Sequence, residues 1–469
     1  MRPFIAIVKL TLRNALRSHI FQLLLVLLVL CVALIPTTVG GSTAMEFIRV
    51  SLLYSLSGVA TILSLSAMWV GCHVMSSDID DYRLHMVVSK PISRVTIWLG
   101  KFSGVLLLHL VLLFLSAAAI YGVVLWRFHN GKFSPNERER IKNEVLVGRR
   151  VFMPERRDYE KLAREELRKK LAEKGQSVSP AAQNRLYKEC LKKLIAEDSE
   201  VQFGPDHPRM WVFKNVPADN KRVLYLRYRP YVSKVRSEDQ RETMVQLLVE
   251  IPRAALNPGA GGEAAGAQDR FLVSIPHKPA VMAGEFHELP LRGDIGIVSP
   301  KGEVRVAAIN LDPKKDKQFY QPADGPKLLI EITSFLGNYA RAVFVLALQL
   351  AMMAALSCAF GGCLTLPTAV FVSTSYLVFG FMASFMTDPG FYVSSEIDKA
   401  GQSISEWVLG VVVPLERFDV TDLVAGGELV EWSLIWNIGW SCLLLRTLPW
   451  VLGGIYLYWR REIGLEIKK

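Results

Sequence analysis

The alternation of oily and polar stretches divides this chain before any other property is considered. Six stretches are apolar for long enough to cross a bilayer, which takes roughly 20 residues at about 1.5 Å rise each. They run over residues 20–37, 47–74, 102–126, 342–366, 367–386 and 434–459. Only the breakers around Gly361, Gly362 and Pro367 separate the fourth from the fifth, which predicts a tight helical hairpin. Ahead of the first stretch, Phe4, Ile5, Val8, Leu12, Ala15 and Leu16 share one helical face, and Lys9, Arg13 and Arg17 recur along its edge. This predicts an amphipathic helix over 1–19 that lies in the membrane interface and leads into the first span. A signal peptide is the rival reading, since Ser42-Thr43-Ala44 loosely resembles a cleavage site. The 19 residues before the oily run are far longer than a usual charged n-region, which argues against it.

Between the third and fourth oily stretches the pattern changes. Residues 135–200 are charged, with apolar positions three and four apart, as in YEKLAREELRKKLAEKG, and predict helices. Residues 201–335 carry short, partly alternating β-branched runs such as VLYLRYRPYV, MVQLLVEIP and EVRVAAINL, divided by Pro, Gly and Asp. They predict an antiparallel sandwich of five to eight strands, with the Gly/Ala-rich segment 257–268 as a loop. The expected fold is an α-helical membrane protein of six transmembrane helices with an inserted α+β domain over 127–338. Two groups of three spans (20–126 and 339–459) flank the insert, and 460–469 forms a tail.

Composition fits this outline: 51% of residues are hydrophobic and mean hydropathy is +0.25. The net charge of +11 suits cytoplasmic loops and lipid headgroups, and does not by itself point to nucleic acid. Basic residues fill 1–19, the 75–101 loop (Arg83, Lys90, Arg94, Lys101) and the tail (Arg460, Arg461, Lys468, Lys469). Within the loop 388–433, nine acidic residues stand against Lys399 and Arg417. The positive-inside rule then places both termini and 75–101 in the cytoplasm, with 388–433 and the insert outside. The insert is itself rich in basic residues, but long domains cross largely regardless of charge. Cys31, Cys72, Cys190, Cys358, Cys363 and Cys442 show neither a disulfide framework nor metal-ligand spacing.

Chemistry concentrates in the loop SSDIDDYRLHMVVSKPISRVTIWLGKF. Asp78, Asp80 and Asp81 are followed by Tyr82 and Arg83, and Ser89-Lys90-Pro91 breaks the helix before Ser93 and Arg94 open another. The residues alone leave two readings: a docking element for a soluble partner, or a solvated connector. No phosphate-cradling G-x-x-x-x-G-K-[ST] occurs, because Gly100-Lys101 is followed by Phe102. No hydrolase constellation stands out either, so the chain is expected not to be an enzyme and to need no cofactor or metal. Arg446 lies near the middle of the last oily stretch, three residues before Pro449. Either it lines a pathway or partner surface, or its side chain reaches the headgroups. His73 and His109 are expected to be packing residues, and His207, His277 and His287 surface residues of the insert.

The ordered set of Asp78–Arg83, Ser89–Arg94 and Leu99-Gly100-Lys101-Phe102 resembles the permeases of ABC-2 type exporters. Phe335-Leu336-Gly337-Asn338-Tyr339-Ala340-Arg341 and Pro414-Leu415-Glu416-Arg417-Phe418-Asp419 are similar to permeases of this kind that carry a large extracytoplasmic domain. The resemblance implies an ABC-2 exporter-like arrangement of the six helices in a bacterial inner membrane. It also implies that the 75–101 loop is a coupling helix seated in a separate ATPase, present in two copies. A second permease subunit, alike or related, and membrane lipid are the other implied partners, with an envelope protein at the insert. The competing expectation is a membrane-anchored envelope scaffold or binding protein without transport activity.

Overall fold

The computed structural model describes residues 2–38, 43–80, 92–174, 179–217, 223–233, 242–252, 270–291, 296–322, 324–386, 403, 407 and 410–460. They form two compact units: Met1–Gly148 with Thr333–Thr387 and Gln402–Lys469, and Arg149–Ile332 with Asp388–Gly401.

The first unit is a helical bundle. Helix α1 (Arg2–Arg17) meets α2 (His19–Thr38) at a bend of 73°. Then come α3 (Ala44–Asp80), α4 (Arg94–Asn130) and the short α5 (Pro135–Glu144). After the second unit the bundle resumes with α8 (Phe335–Cys363) and α9 (Leu366–Met386). A single 3-10 turn (Leu415–Phe418), α10 (Thr421–Ala425) and α11 (Trp432–Arg460) complete it. α3, α4, α8 and α11 are long and apolar enough to cross a membrane, so this is a membrane protein. The other two expected spans do not qualify alone: α2 does so only together with α1, and the apolar part of α9 is shorter, Leu366–Met382.

The helices alternate in direction, as their contacts demonstrate. Gly58 of α3 faces Cys31 and Ile35 of α2. Ser76 near the end of α3 donates to the Gly361 carbonyl near the end of α8 (3.0 Å). Lys101, early in α4, donates to the Val74 carbonyl (2.8 Å). At the other end, Tyr339 of α8 donates to the Ala117 carbonyl of α4 (2.8 Å), and the Tyr121 and Phe335 rings stack. Asn338 clamps the segment before α11, donating to the Glu428 carbonyl and accepting from the Val430 N–H (both 2.8 Å).

α1 is amphipathic, and the stripe it packs against the protein lies beside the apolar face expected to meet the membrane interface. Ile7, Thr11 and Ala15 are buried, whereas Ile5 and Leu16 are more than half exposed. The reason is α4: a Cβ at Gly100 or Gly104 would come within 2.8 Å of Ile7 or Thr11, so the two helices touch through these glycines. Ile5 and Leu16 are left for an apolar medium.

The second unit carries two helices, α6 (Tyr159–Lys174) and α7 (Pro180–Ser199). Twelve strands run from β1 (Val147–Phe152) to β12 (Lys327–Ser334) among the described residues. Those used below are β3 (Arg209–Phe213), β4 (Leu224–Tyr228), β6 (Glu242–Pro252), β9 (His287–Leu291) and β10 (Val304–Asn310). A four-stranded sheet has the order β1-β12-β4-β9, a second runs β3-β10-β6 and onward, and a third has three short strands. In β6, Thr243, Val245, Leu247, Val249 and Ile251 alternate inward, with the period of two that a half-buried strand requires. They share one core with Leu224, Leu226, Leu328 and Ile330 of the first sheet, which makes the two larger sheets a sandwich. It has more strands than expected and begins earlier. Strand β1 lies in the segment expected to be helical, because VGRRVF reads as polar while Arg149 is fully buried.

Candidate functional site

Asp78 and Asp80 belong to the last turn of α3, but their side chains lie outside the described residues. So do Asp81, Tyr82, Arg83, Ser89, Lys90 and Pro91. Description resumes at Ile92. Ser93 caps α4: its extended backbone (φ −67°, ψ 141°) lets its hydroxyl accept the Thr96 N–H at 3.2 Å. Arg94 follows and donates from Nη1 to the Trp459 carbonyl at 2.7 Å. A guanidinium there sits against the carbonyl end of α11, where the helix dipole favours positive charge. The exit of the acid-rich loop is therefore tied to the end of the last long helix.

Lys101 lies two turns deeper, 4% exposed. The α4 backbone approaches α1 through Gly100, which places the next side chain, Lys101, towards the end of α3. The same end is closed by Gly361, where a Cβ would stand 2.7 Å from the Cys72 carbonyl oxygen, and by Gly454, 2.6 Å from Ala359 Cβ. Contacts this close between helices are the packing that small residues permit in a membrane. One end of the bundle thus gathers the starts of α1 and α4 and the ends of α3, α8 and α11 into a tight assembly with a buried cation. In sequence Lys101 counted as a basic residue of the 75–101 loop and as part of a resemblance; nothing marked it as buried.

Arg446 is half-buried within a π-helical stretch, Ile438–Thr447, which ends where Pro449 removes a donor from the ladder. Its Nε donates to the Gly410 carbonyl (3.2 Å), while Nη1 is enclosed without a hydrogen-bond partner among the described residues. Arg446 does not join Ser93 and Arg94. His109 is fully buried, with Nδ1 donating to the Val105 carbonyl (2.8 Å) and Nε2 3.0 Å from Ser66 Oγ, so it is a hydrogen-bonded packing residue. His73 Nδ1 is enclosed with no partner among the described residues.

In the second unit the charged groups pair with each other. Arg149 of β1 donates from Nη1 and Nη2 to the Glu288 carboxylate of β9 (2.7 and 3.2 Å), and Arg227 of β4 reaches it from Nε (2.5 Å). Burial pushes the Glu288 carboxyl up, but the two guanidiniums outweigh it and hold the group below the ordinary carboxylate range. On the helical side Tyr159 donates to Asp198, which also pairs with Arg209. His277 lies against the Ile275 and Val245 carbonyls, and His287 against that of Met282. Sequence reasoning could not find the triad, since 139 residues separate Arg149 from Glu288.

The chain matches no described protein family, no curated protein and no solved structure.

Proposed function

We propose that this chain is the membrane permease subunit of an ATP-driven ABC-type transporter, working in export. Six helices cross a bacterial inner membrane, both termini and the 75–101 loop face the cytoplasm, and the insert stands outside. The loop docks on a separate ATPase, one copy for each of two permease subunits. The observation that carries this reading is the tie between Arg94 and the end of α11 beside the buried Lys101. Force applied at the loop exit reaches α3, α4, α8 and α11 through one close-packed end, as a coupling element requires. The bent α1–α2 pair supports it as well, because an interfacial helix leading into a span fits a 73° turn.

The test is co-purification of the chain with an ATPase whose gene is its neighbour, before and after Asp80→Arg and Arg94→Glu. Both variants are expected to insert normally and to lose the ATPase, with ATP turnover in the mixture falling to that of the free ATPase. If both variants still bind and stimulate the ATPase, the loop is not the coupling element.

A further inference from the structure

A second feature of the bundle lies away from the coupling end. Ser57, Thr61 and Ser64 are spaced four and three apart on α3, which puts them on one helical face. They line a cavity of about 550 Å³ together with Gln349 and Met353 of α8, Phe381 of α9, and Glu416 and Asp419 beside the 3-10 turn. The hydroxyls and the amide are held in place by their neighbours: Ser57 Oγ lies 3.0 Å from Thr421 Oγ1, and Gln349 donates to Ser64 Oγ (3.2 Å). Asp419 Oδ1 accepts from the Thr421 hydroxyl at 2.7 Å, which fixes that carboxylate. Glu416 makes no side-chain hydrogen bond or ion pair among the described residues, and it stands three residues before Asp419, so both can face one side of the tight turn.

No Lys, Arg or His occurs among the described residues that line the cavity. Arg417, which lies between the two acids, is turned elsewhere and donates to Ser441 Oγ at 3.0 Å. Two exposed carboxylates and no described cation therefore stand at the rim of the cavity, next to an apolar wall of Leu346, Leu377, Met353 and Phe418. Polar groups among membrane-spanning helices are costly, and they persist where they meet a ligand, a partner group or water. Leu65 (46% exposed) and Phe381 (66%) frame the mouth on the outside of the bundle, where hydrocarbon is the expected medium. A metal cage would need oxygens converging from several sides; here the carboxylates are on one side and hydrocarbon is opposite.

We infer that this cavity binds an amphiphile bearing an ammonium group, with the cation at Glu416 and Asp419 and the apolar body between α3, α8 and α9. It would enter laterally past Leu65 and Phe381. The inference rests on the transport reading only in taking this amphiphile as the solute that is moved. Its source is either a free alkylamine or the headgroup of an ethanolamine lipid.

The experiment uses the full chain in lipid nanodiscs without any ATPase, and radiolabelled dodecylamine as the probe. Saturable binding is expected, competed by dodecyltrimethylammonium and not by dodecanoate. The double variant Glu416→Gln, Asp419→Asn is expected to bind about threefold to tenfold more weakly, the loss of two exposed charge contacts. Its melting temperature would match that of the parent, and Gln349→Ala would weaken binding by about threefold, the loss of one hydrogen bond. Adding phosphatidylethanolamine to phosphatidylglycerol discs either displaces the probe, naming the lipid headgroup as the source, or does not, naming the free amine. Absence of saturable binding, equal competition by dodecanoate, or unchanged binding by the folded double variant overturns the proposal. Saturable amine binding together with failure of the chain to co-purify with any ATPase would sink the transport reading and leave the site standing. ATPase coupling without amine binding would do the reverse.

Discussion

The bundle and the insert bury charge in opposite ways. In the insert, Glu288 is gripped by two guanidiniums, and all three side chains are at most 10% exposed. In the bundle, the one buried Lys or Arg among the described residues, Lys101, donates to the Val74 carbonyl of a neighbouring helix. A domain folding in water loses the hydration of the charges it buries, and the triad offsets that loss through mutual attraction and several hydrogen bonds. Among helices in lipid charges are few and lie at helix ends or face cavities. In the bundle, cohesion falls to close backbone contact at glycines and to short polar links.

The largest way to break this contrast is Glu288→Gln. It leaves Arg149 and Arg227 inside with one carboxylate lost, and a buried pair broken on one side costs about 3–5 kcal/mol. Hydrogen exchange should rise steeply in peptides spanning β4 and β9 and stay unchanged in α3 and α8. Acid should act in the same way. The folded Glu288 carboxyl titrates below its unfolded value, so the stabilisation is complete above the ordinary carboxylate value of 4.5 and disappears as pH falls through the lowered folded value. Exchange at pH 3 should therefore loosen the insert first. Equal loosening of both units would remove the distinction.

Next in size is Gly361→Val. Its Cβ would lie 2.7 Å from a backbone oxygen and 2.8 Å from a backbone Cα of Cys72, neither of which can swing aside. Overpacking of this kind costs about 1–3 kcal/mol, and here the helices themselves must part. The expected outcome is the mirror image of the first: faster exchange in α3 and α8, with β4 and β9 spared.

These two sites also mark how far the sequence could be read. The oily stretches named the four helices long and apolar enough to cross a membrane, α3, α4, α8 and α11, because length and hydropathy in a membrane chain follow from the solvent rather than from partners. The alternating runs named the sandwich for the same kind of local reason. What stayed hidden was decided across the fold. VGRRVF gave no sign of a strand because Arg149 is buried only in the company of Glu288. The stripe by which α1 packs on the protein depended on Gly100 and Gly104 offering α4 as a floor. Glu416 and Asp419 counted as two of nine acids in a loop and as members of a resembling stretch, with no sign that they share a cavity with Ser57 and Gln349.

The smallest expected effect sharpens the contrast most. Lys101→Met keeps the length of the side chain and removes its charge. The Val74 carbonyl retains its helical N–H partner, since α3 continues to Asp80. Exchanging a buried charge for an apolar side chain of similar volume is often neutral or stabilising. The variant should therefore melt within about 1 kcal/mol of the parent, whereas Lys101→Ala, which also opens a void, should cost about 1–3 kcal/mol more. Melting of the purified chain, with exchange in α3 and α4 as the local readout, separates the two. A near-neutral Lys101→Met would mean that the buried cation is not there to hold the bundle together, which is what the proposed coupling role predicts for it. If it unfolds the bundle as severely as Glu288→Gln unfolds the insert, both units use buried charge for cohesion, and the difference drawn between them falls.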